Sequence, residues 1–68
     1  MSVTVTVNGL PRDVAAGTTI ADVVTALTAA SSGVAVAVNG AVVARGRWPD
    51  MVLAHDDAVE ILTAVQGG

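Results

Sequence analysis

Val3-Thr4-Val5-Thr6-Val7-Asn8-Gly9-Leu10-Pro11-Arg12-Asp13-Val14 is the stretch whose reading decides the fold. Val3, Val5 and Val7 fall on one face of an extended chain and Thr4 and Thr6 on the other. This period of two, in β-favouring residues, predicts a half-buried strand. Asn8-Gly9 is the dipeptide that best tolerates the positive φ angles of a two-residue hairpin turn. Leu10, Arg12 and Val14 then form the return strand. Pro11 has no N–H for a ladder bond, which places this second strand at a sheet edge.

Outward from the hairpin, Ala15-Ala16-Gly17-Thr18 reads as a loop and Thr19 as a helix N-cap. A threonine hydroxyl there accepts from the free N–H groups of the first turn, and Asp22 sits near the positive end of the helix dipole. Ile20, Val23, Val24 and Leu27 recur at i, i+3, i+4 and i+7, the apolar stripe of an amphipathic helix. The expected helix covers about residues 20–30, with Gly33 as its C-cap.

Val34-Ala35-Val36-Ala37-Val38 alternates large and small residues, so the valines should meet the helix and the alanines the opposite face. Asn39-Gly40 turns into Ala41-Val42-Val43. Arg45 to Asp50 reads as irregular, Met51-Val52-Leu53 as a brief strand, and His55-Asp56-Asp57 as a polar turn. Residues 58–65 form a last strand apolar enough to be central, lying beside the first. One helix on a four- to five-stranded sheet is a two-layer α+β arrangement.

Composition narrows the function classes. The chain has 68 residues, which predicts one domain. At this size the core barely offsets chain entropy, so local structure must be well specified. Hydrophobic residues make up 53%, mostly alanine and valine, and Trp48 is the sole aromatic. No aromatic platform for stacking bases exists. The net charge of -3, with Arg12, Arg45 and Arg47 as the only cations, argues against nucleic acid and anionic membranes. It suits a protein partner with a basic docking face. The mean hydropathy of +0.70 is high. Even so, no unbroken apolar run approaches the roughly 18 residues needed to span a bilayer. The N-terminus shows no charged region followed by an apolar run, so a cytoplasmic protein is expected. With no cysteine there is neither a disulfide nor a thiolate zinc site.

No catalytic constellation is legible: cysteine, lysine and tyrosine are absent and His55 is the only histidine. His55, Asp56 and Asp57 are consecutive, and adjacent residues rarely converge on one metal ion, so a solvated turn is expected and no metal. Arg45 and Trp48 can form a local guanidinium–indole contact. Glu60 is either an outward residue or a docking charge. The distinctive feature is the ending, Gln66-Gly67-Gly68. A terminal carboxylate is ionised at neutral pH and is a poor acyl donor until an oxygen becomes a leaving group. Two glycines make a thin tail that can lie close to another protein's backbone. Such a tail suits threading into an activating enzyme, and a frayed chain end is the bland alternative.

Val38-Asn39-Gly40-Ala41-Val42-Val43-Ala44-Arg45-Gly46-Arg47-Trp48 resembles the ThiS family of thiamine-biosynthesis sulfur carriers, with its Asn turn, aliphatic strand and Arg-x-x-Trp. Three more pieces match in order. They are Val7-Asn8-Gly9, Thr19-Ile20-x-x-Val23-Val24, and Asp57-x-Val59-Glu60-Ile61-Leu62 before Gly67-Gly68. The resemblance covers nearly the whole chain. It implies a ubiquitin-like β-grasp domain over residues 1–65 and a flexible tail over 66–68. It also implies a carrier that catalyses nothing and holds no cofactor. An ATP-dependent ThiF-type adenylyltransferase would activate the Gly68 carboxylate, and a persulfide donor would convert it to a thiocarboxylate. A ThiG-type thiazole synthase would then accept the sulfur. Gly67 and Gln66 would be required for entry into the partners' active sites. Rival readings are a carrier for molybdopterin or for cysteine or methionine synthesis, a ubiquitin-like modifier of lysines, and a small interaction module with an idle tail. The sequence departs from the family at Asp56-Asp57, where Gly-Asp is usual; that implies a positive φ at Asp56.

Overall fold

The structure, a computed structural model, describes residues 1–28 and 33–63. In chain order the elements are strands β1 (Ser2–Val7) and β2 (Leu10–Ala15) and helix α1 (Ile20–Leu27). Strands β3 (Val34–Val38) and β4 (Ala41–Val43), a 3₁₀ helix (Arg45–Asp50) and strand β5 (Ala58–Thr63) follow. The five strands form one mixed sheet in the order β2-β1-β5-β3-β4. β1 and β5 are parallel, and the other neighbours are antiparallel. This is the ubiquitin-like β-grasp expected from the sequence, with the last strand beside the first. Pro11 lies on β2, an edge strand, where its missing N–H costs no ladder bond.

Alternation puts the large residues on one face. Val5 and Val7 of β1, Val36 and Val38 of β3, and Val59 and Ile61 of β5 are all buried. Register places Val7 and Val38 on either side of Val59, and Val36 beside Ile61. Ile20, Val23 and Val24 of α1 pack into the same cluster, which Trp48 and Leu53 complete. Each such aliphatic side chain contributes about 1.5–3 kcal/mol when fully buried. No charged or polar residue is buried among the described residues, so no desolvation cost opposes this packing.

Thr19 caps α1 as expected, and Asp22 completes a capping box. The Thr19 hydroxyl accepts from the Asp22 N–H at 3.2 Å, and the Asp22 carboxylate accepts from the Thr19 N–H at 3.0 Å. The helix ends earlier than its sequence pattern suggests. Thr28 is the C-cap, extended at φ -147°, and its N–H donates to the Val24 carbonyl at 2.9 Å. The apolar stripe runs out at Leu27. Residues 29 and 30 of the expected helix lie outside the described residues. Gly33 has a positive φ of 72°, but it leads into β3 and does not cap α1.

Three further local differences have physical causes. Ala15 belongs to β2, paired with Ser2, and not to the following loop. Arg45–Asp50 is a 3₁₀ helix where the sequence suggested an irregular stretch. Tertiary burial of Trp48 organises it, with the indole N–H donating to the Val43 carbonyl at 3.0 Å. Met51–Leu53 is no strand; only Val52 bridges to Thr19. That bridge is flanked by two useful bonds. Met51 accepts the Ile20 N–H at 3.0 Å, satisfying a donor the helix start leaves free, and the Leu53 N–H donates to Thr18 at 2.9 Å. Residues 64 and 65 of the expected last strand lie outside the described residues.

Candidate functional site

The central strand β5 leads to the C-terminal segment, so the site begins with how β5 is held. The described chain ends at Thr63, and Gln66, Gly67 and Gly68 lie outside the described residues. β5 is gripped from both sides by asparagines of the two Asn-Gly turns. Asn8 and Asn39 both have φ 52°, and their glycines have φ 84° and 83°. Positive φ at both central residues is the geometry of a type I′ hairpin turn, which explains the Asn-Gly choice.

The side chains do something the turn rule does not require. On the β1 side, the Asn8 amide oxygen accepts the Ile61 N–H at 2.8 Å. Its amide nitrogen donates to the Ile61 carbonyl at 3.1 Å. On the β3 side, the Asn39 amide oxygen accepts the Ala58 N–H at 2.9 Å, and its nitrogen donates to the Asp57 carboxylate at 3.0 Å. Asn39 therefore secures the start of β5, and Asn8 the part nearest the C-terminus. Sequence reasoning found the turns and missed these bonds. The available signal was the residue type, since a primary amide offers a donor and an acceptor on two separate atoms, as a backbone peptide does.

Asp57 also accepts the Ala54 N–H at 2.8 Å, and its own N–H returns to the Ala54 carbonyl at 3.1 Å. Inside that turn Asp56 has φ 70°, as the comparison of its position with the usual glycine implied. His55 is structural. Its Nδ1 accepts the Thr4 N–H at 3.1 Å, and its Nε2 lies 3.4 Å from the Asp56 carboxylate. Among the described residues no group of three or more His, Asp or Glu side chains could hold a metal ion. The Arg45 guanidinium lies over the Trp48 ring, 5.4 Å from its centroid, a local packing unit.

Among the described residues, no helix packs on the sheet face opposite α1. Ala37 pairs with Glu60 on one side and Val42 on the other, and Ala35 pairs with Leu62. Residues opposite one another share a face, so these form a small apolar strip carrying one carboxylate. Leu62 is 68% exposed and Val42 82%. Glu60 thus faces outward. On the helix face, Leu10, Leu27, Arg12 and Thr63 border a shallow groove of about 320 Å³ at the end of β5. No helix among the described residues is long and apolar enough to cross a membrane.

A β-grasp body whose central strand is followed in the sequence by a Gly-Gly ending is the arrangement to compare with known proteins. The model of the ThiS family matches residues 5–68. The chain belongs to the ThiS family. A solved ThiS structure from Geobacter metallireducens superposes with a TM-score of 0.76 at 33% identity, covering 97% of this chain and all of that one. A thiazole synthase of Magnetococcus marinus is 41% identical over 61 residues, 90% of this chain. The matching segment is only 19% of that synthase's length, so the chain spans about a fifth of that relative. That synthase thus contains a segment similar to this chain.

Proposed function

We propose that this chain is the sulfur carrier of thiazole formation in thiamine biosynthesis, with Gly68 as the reacting residue. The family match through residue 68, with its Gly67-Gly68 ending, is the observation that carries this reading. With neither cysteine nor lysine in the sequence, the chain has no thiol or amine side chain of its own to carry sulfur covalently.

The chemistry follows from the carboxylate. A Gly68 oxygen attacks the α-phosphorus of ATP on a ThiF-type adenylyltransferase, and pyrophosphate leaves. In the acyl-adenylate, AMP replaces oxide as the leaving group. The terminal sulfur of a persulfide attacks the acyl carbon and expels AMP. A thiol then reduces the resulting S–S bond, leaving the Gly68 thiocarboxylate. A ThiG-type thiazole synthase accepts that sulfur, and the segment shared with the Magnetococcus synthase supports this partner. The carrier needs no resident cofactor, because ATP belongs to the adenylyltransferase, and the exchange takes place in the cytoplasm. Residues 1–65 act as the docking body and 66–68 as the tail. Gly67 and Gly68 have no side chain that would block a narrow channel near the reacting carbon, and Gln66 enters just before them.

The test is intact mass after incubation with a ThiF-type adenylyltransferase, ATP and a persulfide donor. The expected product has one oxygen replaced by sulfur, and deletion of Gly68 abolishes it. The deletion moves the terminus by about 3.3–3.6 Å, whereas misplacement of about 1 Å can cost roughly 100-fold. Unchanged mass, or attachment of the chain to lysines of other proteins, would overturn the reading.

A further inference from the structure

The geometry points to Asn8 as a positioning residue that aims the C-terminal segment; this rests on the carrier reading above. β1 pairs with β5 only as far as Val7 and Val59, then leaves at the Asn8-Gly9 turn. β5 continues through Thr63. A strand that outruns its neighbour loses ladder bonds on that side. Here the lost neighbour is replaced. The Asn8 backbone N–H donates to the Val59 carbonyl at 2.9 Å, and its side-chain amide then supplies both bonds to Ile61. The amide acts as one more peptide unit of β1.

Position along β5 gives this clamp its consequence. Backbone groups of a strand alternate between its two neighbours. The Asn39 N–H donates to the Ala58 carbonyl at 2.8 Å, so even-numbered residues of β5 address β3 and odd-numbered ones address β1. Among the described residues Ile61 is therefore the last of β5 bonded on the β1 side; Leu62 and Thr63 pair only with β3, and Thr63 borders the groove together with Leu10. The Asn8 clamp is thus the last hold on the β1 side of β5 among the described residues, seven residues before Gly68 in the sequence. Only an amide can fill this role, because aspartate cannot donate to the carbonyl and serine offers one atom where two are needed.

The second turn supplies a matched control. Asn39 has the same φ, the same following glycine and a similar pair of amide bonds, but it acts on Ala58, at the far end of β5. Asn8→Gly and Asn39→Gly each keep a Gly-Gly turn that accepts positive φ. Each removes one clamp.

The experiment measures steady-state adenylation of both variants by a ThiF-type adenylyltransferase with ATP, with amide exchange at Ile61 followed in parallel. An end-of-strand shift of about half an ångström predicts about a 10-fold fall in kcat for Asn8→Gly, since about 1 Å can cost roughly 100-fold. KM should hold, because the docking body is unchanged, and Ile61 exchange should accelerate. Asn39→Gly should stay within about 2-fold of wild type in kcat, a change of about 0.4 kcal/mol or less in the barrier. Should Asn8→Gly fail to fold, Asn8→Asp keeps the acceptor and loses the donor, and its kcat should fall part of the way. If the two glycine variants lose kcat equally, the clamps are merely structural and the inference is overturned. If wild type itself is not adenylated, the carrier reading falls and takes this inference with it.

Discussion

Asp56 offers a sharp test of the turn that precedes β5. It is the third residue of the turn Ala54-His55-Asp56-Asp57, closed by the Asp57 N–H to the Ala54 carbonyl at 3.1 Å, and its φ is 70°. Positive φ at this position alone is the type II pattern, which favours glycine. The test compares Asp56→Gly with Asp56→Ala. Both lose the carboxylate, which is 85% exposed and lies 3.4 Å from His55, so that loss cancels. Both keep the backbone bond from residue 56 to the Thr4 carbonyl. What remains is conformational. Alanine at positive φ costs about 1–2 kcal/mol, and glycine loses about 0.4–1 kcal/mol through its freer unfolded chain. Midpoints give glycine an advantage of about 0.8 kcal/mol over alanine. At an ordinary negative φ the order reverses, with alanine ahead by about 0.4–1 kcal/mol. The sign is therefore diagnostic. Urea denaturation should place the glycine midpoint above alanine by about half a molar, given a slope of about 1–2 kcal/mol/M. In melting the gap is about 3–6 °C for a domain this size. Against wild type, Asp56→Gly should be slightly stabilising, because aspartate tolerates this region better than alanine but less well than glycine. Sulfur transfer should not change, since the turn lies at the opposite end of β5 from Thr63. An alanine variant as stable as the glycine variant would refute the strain argument.

Asn39→Asp removes the donor to Asp57 and sets two carboxylates against each other where 3.0 Å now separates the partners. It should cost about 1–3 kcal/mol by urea denaturation. Adding Asp57→Asn should recover most of that loss by reversing donor and acceptor. Trp48→Ala should leave the chain largely unfolded by far-UV circular dichroism. The buried indole and its bond to Val43 are worth about 3–5 kcal/mol, comparable to the whole stability of so small a domain. Gly67→Val should abolish adenylation with the melting temperature unchanged, because the added β-branched side chain excludes glycine-only backbone conformations; normal adenylation would exclude the narrow-channel argument.

Much of this architecture was legible because its rules act over a few residues. Val-Thr alternation declared β1, Pro11 declared an edge, and Thr19 declared the start of α1; each depends on neighbours no more than four positions away. The positive φ at Asp56 was legible in another way, from the resemblance to a family in which glycine is usual at that turn. For the candidate site, the sequence pointed to the Gly67-Gly68 ending, because it contains no cysteine, lysine or tyrosine and a single histidine, and shows no catalytic constellation.

What only tertiary structure decided involves partners far apart in sequence. Whether α1 continues past Leu27 depends on what the sheet offers the next turn, and helical periodicity does not report that. The 3₁₀ helix forms because Trp48 is buried and its indole N–H finds Val43, although Gly46 and Pro49 read locally as breakers. Asn8 was legible as a turn residue, but its second role required Ile61, 53 positions away. His55 could be read as a metal ligand until the Thr4 N–H, 51 positions away, occupied its Nδ1. Each of these bonds exists only because β5 lies between β1 and β3. Strand order results from burying all the valine faces under one helix, a global condition that no short window of sequence contains.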